Sequence, residues 1–156
     1  MNAVVIGAAK PGYAEAITRK LIKNGFKVIG TYDTEFEENA TKLSKEFSSE
    51  KLTLKSLDLS SRNDLKSFVD DIVDPIDSFV FAQFYFDMEN PDDFNHEIWD
   101  KSIAINLTAP NYLIHELKNK MNAGSSIVIL TSTEGFRGSY GASAYAATKA
   151  AIHNLV

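Results

Sequence analysis

Three residues late in this 156-residue chain have the types and spacing for proton transfer: Ser132, Tyr145 and Lys149. A tyrosine followed by a lysine four residues on puts a phenol and an ammonium on one helix face. A phenol ordinarily titrates near ~10, too high for ready proton exchange at neutral pH. A neighbouring cation favours the phenolate and brings that exchange within range. Such a phenol gives a proton to a substrate oxygen, or takes one from it. Taken alone, the pair also fits an ordinary solvated helix face, so the elements that carry it decide its meaning.

Strand and helix signals alternate along the whole chain. Strands are expected at Ala3–Gly7, Lys27–Tyr32, Leu52–Leu57, Ser78–Phe84 and Ser126–Thr131. Helices are expected at Gly12–Asn24, with Ala14, Ile17, Leu21 and Ile22 on one face, at Glu35–Ser48, and at Ser61–Asp71. Asn24-Gly25 is a stop signal, and Ser60 or Ser61 caps the third helix with Asp64 in its first turn. A long helix runs from His96 to about Lys120, and another starts at Ser143 and is still running where the sequence stops. This alternation predicts a doubly wound parallel sheet in a three-layer α/β/α arrangement, one Rossmann-like domain over residues 1–156. Ligands of such sheets bind beyond the carboxyl ends of the strands.

A glycine-rich turn, Gly7-Ala8-Ala9-Lys10-Pro11-Gly12-Tyr13-Ala14, follows the first strand and opens a helix. There the backbone can approach a diphosphate, and the helix N-terminus supplies N–H groups and positive potential. The turn departs from G-x-G-x-x-G and is not a P-loop, because no G-K-[ST] follows. Asp33 closes the second strand, where an acid reaches the ribose hydroxyls of an adenosine. It reads equally as an N-cap for the next helix. Pro110 lies four residues after Asn106, inside the long helix, and removes the N–H that would bond the Asn106 carbonyl. A kink there frees that carbonyl for water; the alternative is a helix that breaks and restarts.

Together these residues resemble the short-chain dehydrogenase/reductase family over the whole chain. The resemblance rests on the glycine turn, Asp58-Leu59 after the third strand, Asn106 in I-N-L-T-A-P, Ser132 closing the fifth strand, and Tyr145-Ala-Ala-Thr-Lys149. It implies an NAD(P)-dependent oxidoreductase that interconverts an alcohol and a carbonyl by hydride transfer. In that reading Tyr145 is the proton donor or acceptor, Lys149 assists it and binds the nicotinamide ribose, Ser132 orients the carbonyl, and Asn106 holds a relay water. Cofactor contacts fall to Gly7, Lys10, Gly12, Tyr13, Asp33, Asp58, Leu59 and Ala82, as well as Tyr145 and Lys149. Asp33 disfavours a 2′-phosphate and Lys10 welcomes one, with a slight lean to NAD over NADP. Each polar residue keeps a structural alternative: Ser132 and Asp58 as caps, Lys149 as a solvated side chain.

The chain also departs from the family pattern. Ala14 stands at a usual glycine, and the turn is one residue longer, with Pro11. Phe81-Ala82-Gln83-Phe84 replaces N-N-A-G, so Phe84 either crowds the site or turns into the core. The pattern ends in the helix of Tyr145, which reads as the N-terminal portion of a longer member, truncated after the fifth strand. These departures motivate a second reading, a nucleotide-binding or regulatory module without turnover. A purely structural α/β domain is a third.

Bulk properties narrow the field. A hydrophobic content of 44% is that of a globular domain, and the formal charge of −5 argues against general nucleic-acid binding. No apolar run suits a membrane span, no leader is expected, and the absence of cysteine fits a cytoplasmic setting. His96, His115 and His153 share no ligand spacing, so no metal is expected. Ser132 lacks a G-x-S-x-G elbow. Phe79, Phe81, Phe84, Tyr85 and Phe86 read as a buried strand, and Asp87–Asp93 as a solvated loop. The expected partner is a small alcohol or carbonyl, with a homodimer or homotetramer for an intact protein.

Overall fold

The computed structural model describes residues 1–155. Five parallel strands form one sheet in the order β3-β2-β1-β4-β5. They are β1 (Asn2–Ile6), β2 (Lys27–Tyr32), β3 (Leu52–Ser56), β4 (Ile76–Phe81) and β5 (Met121–Ile129). The helices are α1 (Tyr13–Lys23), α2 (Glu37–Glu46), α3 (Arg62–Asp70), α4 (His96–Ile103), α5 (Ala109–Leu117) and α6 (Ser143–His153). The expected doubly wound sheet is present.

Strand pleating explains the two cores. Val4 and Ile6 of β1, with Phe79 and Phe81 of β4, pack against α3 and α5 through Leu65, Phe68, Leu113 and Leu117. The alternate residues Ala3, Val5, Val80 and Ala82 pack against Ala14 and Ile22 of α1 and Ala40 and Leu43 of α2. Each central strand is therefore apolar throughout, as a sheet covered on both faces requires. At β5 one face lacks cover, and Val128 is 45% exposed.

Several boundaries differ from expectation for physical reasons. The second helix is preceded by a 3₁₀ turn at Thr34–Phe36, whose N-cap is Asp33. β4 ends at Phe81, and further on both backbone groups of Tyr85 are taken by the Asn106 side chain at 2.8 Å. Of the aromatic run, only Phe79 and Phe81 lie in the strand; Phe84, Tyr85 and Phe86 lie beyond it. β5 starts early, at Met121, across an irregularity opposite Ile76 and Ser78 in which Gly124 adopts φ 82°. α6 ends at His153, with Asn154 as its C-cap, and so stops short of the chain end.

The long helix neither breaks nor stays regular. A π-turn at Ala104–Thr108 joins α4 to α5, and Pro110 lies in the first turn of α5. Gly30 of β2 leaves room for its neighbours' side chains: a Cβ there would stand 2.5 Å from the Ala8 Cβ and 2.7 Å from Leu54 Cδ2. Gly30→Ala is expected to destabilise the fold by roughly 1–3 kcal/mol through overpacking, read as a lower urea midpoint with unchanged slope.

Candidate active site

β1 lies between β2 and β4, so the winding changes direction between β1 and β4 and opens a crevice at their carboxyl ends. The glycine turn forms one wall. Gly7 has φ 84° and Gly12 φ 98°, values that favour glycine. The turn's carbonyls are drawn away from the crevice: Thr18 Oγ1 donates to Ala8 O at 3.1 Å and Asn39 Nδ2 to Ala9 O at 2.7 Å. Tyr13 begins α1 and is half exposed.

A cleft of about 450 Å³ lies further along, between the ends of β2 and β3 and the π-turn, lined by Asp33, Asp58, Ser60, Lys101 and Ile105 among others. Asp33 Oδ1 accepts from Glu35 N at 3.2 Å, so the residue both caps a turn and faces the cleft. Asp58 Oδ1 accepts from the Ser60 N–H at 2.8 Å, while the cap of α3 is Ser61, bonded to Asp64 N at 3.2 Å. Leu59 turns into the core beside Leu57 and Leu65, and Ala82 is fully buried, its N–H extending the β1–β4 pairing to Ile6 O at 2.9 Å.

Tyr145 and Lys149 share one face of α6, with the Lys149 ammonium 5.6 Å from the centre of the phenol ring. Lys149 is only 2% exposed, and its Nζ donates to Leu130 O at 3.0 Å. Burial, with the Lys10 charge adding to it, pushes its ammonium down to about 8. Ser132 lies on the turn between β5 and α6, where its Oγ accepts from Glu134 N at 3.3 Å. Gly135 brings that turn against α6, since a Cβ there would stand 2.8 Å from the Lys149 carbonyl.

Asn106 sits in the π-turn, buried. Its amide bonds both backbone groups of Tyr85 and also donates to Thr148 Oγ1 at 3.3 Å. It therefore joins the π-turn, the segment after β4, and α6. Oδ1 and Nδ2 are both engaged in these bonds.

Phe84 takes the first of its two expected places, at the site, while the roles of Glu89 and Gln83 were missed in the sequence. Phe84 does not enter the core: its ring lies 5.9 Å from that of Tyr145 and 6.5 Å from that of Tyr13, with Lys10 Nζ 3.6 Å above it. Lys10 also donates to Phe84 O at 3.4 Å, so the pair reaches across the crevice. Glu89, in the loop read as solvated, caps α6 from outside: Oε1 accepts from Ala144 N at 2.8 Å and Oε2 from the Ser143 hydroxyl. α6 has no side-chain cap of its own, and only that lack hinted at Glu89 in the sequence. Gln83 lies with its side chain across Gly7. Among the described residues no group of three potential metal ligands gathers, and no helix is long and apolar enough to cross a membrane.

The fold and crevice define a dinucleotide-binding type of α/β domain. The sequence profile described as short chain dehydrogenase matches residues 1–156, and the chain belongs to that family. No curated protein matches it. Among solved structures it is similar to serine dehydrogenase complexed with NADP+ (28% identity, TM-score 0.86, covering 99% of this chain and 63% of that one). It is also similar to a blue fluorescent protein from a metagenomic library in complex with NADPH (25%, 0.91, 99% and 65%). BdcA in complex with NADPH is a third (25%, 0.88, 99% and 61%). The chain thus spans about three-fifths of the length of these proteins. The cofactors they carry lend no support to the lean toward NAD.

Two measurements test this geometry. Between pH 8 and 10.5 the unfolded chain holds a proton on Lys149 that the folded chain has released, so stability rises with pH across that window. Wild type should therefore gain in urea midpoint relative to Lys149→Met between pH 7.5 and 10; parallel changes would contradict the buried ammonium. Glu89→Ala should cost about 1 kcal/mol by leaving the start of α6 uncapped, with Glu89→Gln closer to wild type in the same unfolding assay.

Proposed function

We propose that this protein interconverts an alcohol and a carbonyl with a nicotinamide cofactor, Tyr145 exchanging the proton. The observation that carries this reading is the buried Lys149 ammonium beside the Tyr145 ring. A cation held there stabilises the negative charge that proton donation leaves on a phenol. The membership in the family of short chain dehydrogenases supports the same reading.

The residues fit a dinucleotide. Gly7 and Gly12 keep the turn open, the start of α1 offers N–H groups, and the cleft at Asp33 and Asp58 has room for an adenosine. When bound, the nicotinamide would supply or accept the hydride. Lys149 would then hold the nicotinamide ribose as well as assist Tyr145. Ser132, freed from the Glu134 N–H, would orient the substrate oxygen, and Asn106 would hold the relay water through its carbonyl. Asp33, Asp58 and Asp64 around the adenosine cleft repel a 2′-phosphate, which favours NAD; Lys10, across the crevice, is the group that would favour NADP.

A second reading is a nucleotide-binding module without turnover. The contact of Lys10 with Phe84 across the crevice favours it.

In the full-length protein, Tyr145→Phe should lower carbonyl reduction by at least ~10²-fold while NADH and NADPH titrations stay within a few-fold of wild type. A near-normal rate in that variant would overturn the role of Tyr145. Cofactor binding with no turnover by the wild type across a carbonyl panel would favour the second reading.

A further inference from the structure

Gln83 stands directly after Ala82, where β4 gives way to the crevice, and is only 8% exposed. Its side chain lies across Gly7. A Cβ on Gly7 would meet Gln83 Oε1 at 2.8 Å and the Gln83 Cβ and N at 3.1 Å each. Gly7 therefore leaves room for this amide as well as adopting a conformation that suits glycine.

The amide is not held by hydrogen bonds. Oε1 is sealed from solvent and has no partner. The neighbouring backbone groups are already committed: Gly7 N–H to Thr31 Oγ1 at 3.2 Å, and Gly7 O to Lys10 N–H at 2.9 Å. Nε2, at the other end of the amide, has no hydrogen-bond partner among the described residues and is not sealed as Oε1 is. A buried acceptor without a partner weakens a fold, and native chains keep few of them. An apolar side chain of similar volume would serve packing at least as well.

We propose that Gln83 is a cofactor-binding residue whose amide N–H donates to the diphosphate of the dinucleotide lying over Gly7. Three observations converge on that place: the close approach at Gly7, the unpartnered amide, and the start of α1 facing the same crevice. The unsatisfied inner oxygen is retained because it keeps the outer N–H at the crevice. The inference rests on the function proposed above and adds a residue of this chain to it.

Gln83→Leu removes the amide while keeping most of its volume. Without cofactor its melting temperature should equal or exceed that of wild type, because the unpartnered acceptor is gone. Its Kd for NADH or NADPH, whichever the wild type binds more tightly, should rise about tenfold by fluorescence titration. Gln83→Glu, which sets a negative charge beside the diphosphate, should bind more weakly still. Stability and affinity moving in opposite directions is a result that a packing role does not produce. Binding of wild-type strength by Gln83→Leu, or a lower melting temperature without cofactor, would overturn this assignment alone. Failure of the wild type to bind either dinucleotide would overturn the assignment and the proposed function together.

Discussion

The bond from Lys149 Nζ to Leu130 O is the constraint on which the arrangement of the site depends. It ties the middle of α6 to the carboxyl end of β5 with a charge removed from water. Burying an ammonium is costly unless it is well bonded. The neighbours hold it in place: Gly135 lets the intervening turn close against the Lys149 carbonyl, and Thr131 Oγ1 donates to that carbonyl at 3.3 Å. A side chain fixed this tightly fixes the helix that bears it, and with it the direction of the Tyr145 ring.

Around that anchor, the π-turn and the segment after β4 meet α6 through side chains. Asn106 imitates a strand for Tyr85, binding both of its backbone groups, and reaches Thr148 on α6. Glu89 extends from the loop after β4 to the first turn of α6. Phe84 and Phe86 both place their rings edge-on to Tyr145, at 5.9 and 5.3 Å. The segment after β4 and α6 are thereby joined at their polar contacts and at their aromatic ones.

The alternation of strands and helices was legible in the sequence because each element buries a face with its own period, and that period is local. The cap at Ser61 was legible because its partner, Asp64, is three residues away. Asp33 takes its capping reading, at the 3₁₀ turn before α2, and also lines a cleft. The aromatic run misled: hydrophobicity marks a residue for burial without saying where a strand ends, and beyond β4 the backbone of Tyr85 bonds a side chain 21 residues away. Asn106, Glu89 and Gln83 act across separations that no periodicity reports. The helix around Pro110 was half legible: the missing N–H showed in the sequence, but its accommodation by a wider turn depends on how α4 and α5 each pack.

The π-turn at Ala104–Thr108 carries a consequence for how this chain tolerates change in length. A wide turn holds one residue more than the α-helical path on either side of it. Removing a single residue there would restore a uniform α-helical spiral and leave α4 and α5 in phase, with Ile98 and Leu117 separated by whole turns and both still on the buried face. A single-residue deletion elsewhere in α4 or α5 has no such turn to absorb it and would swing one buried face by about 100° against the other. The middle of the longest rod in the molecule is thus the place where it can lose a residue without turning its ends.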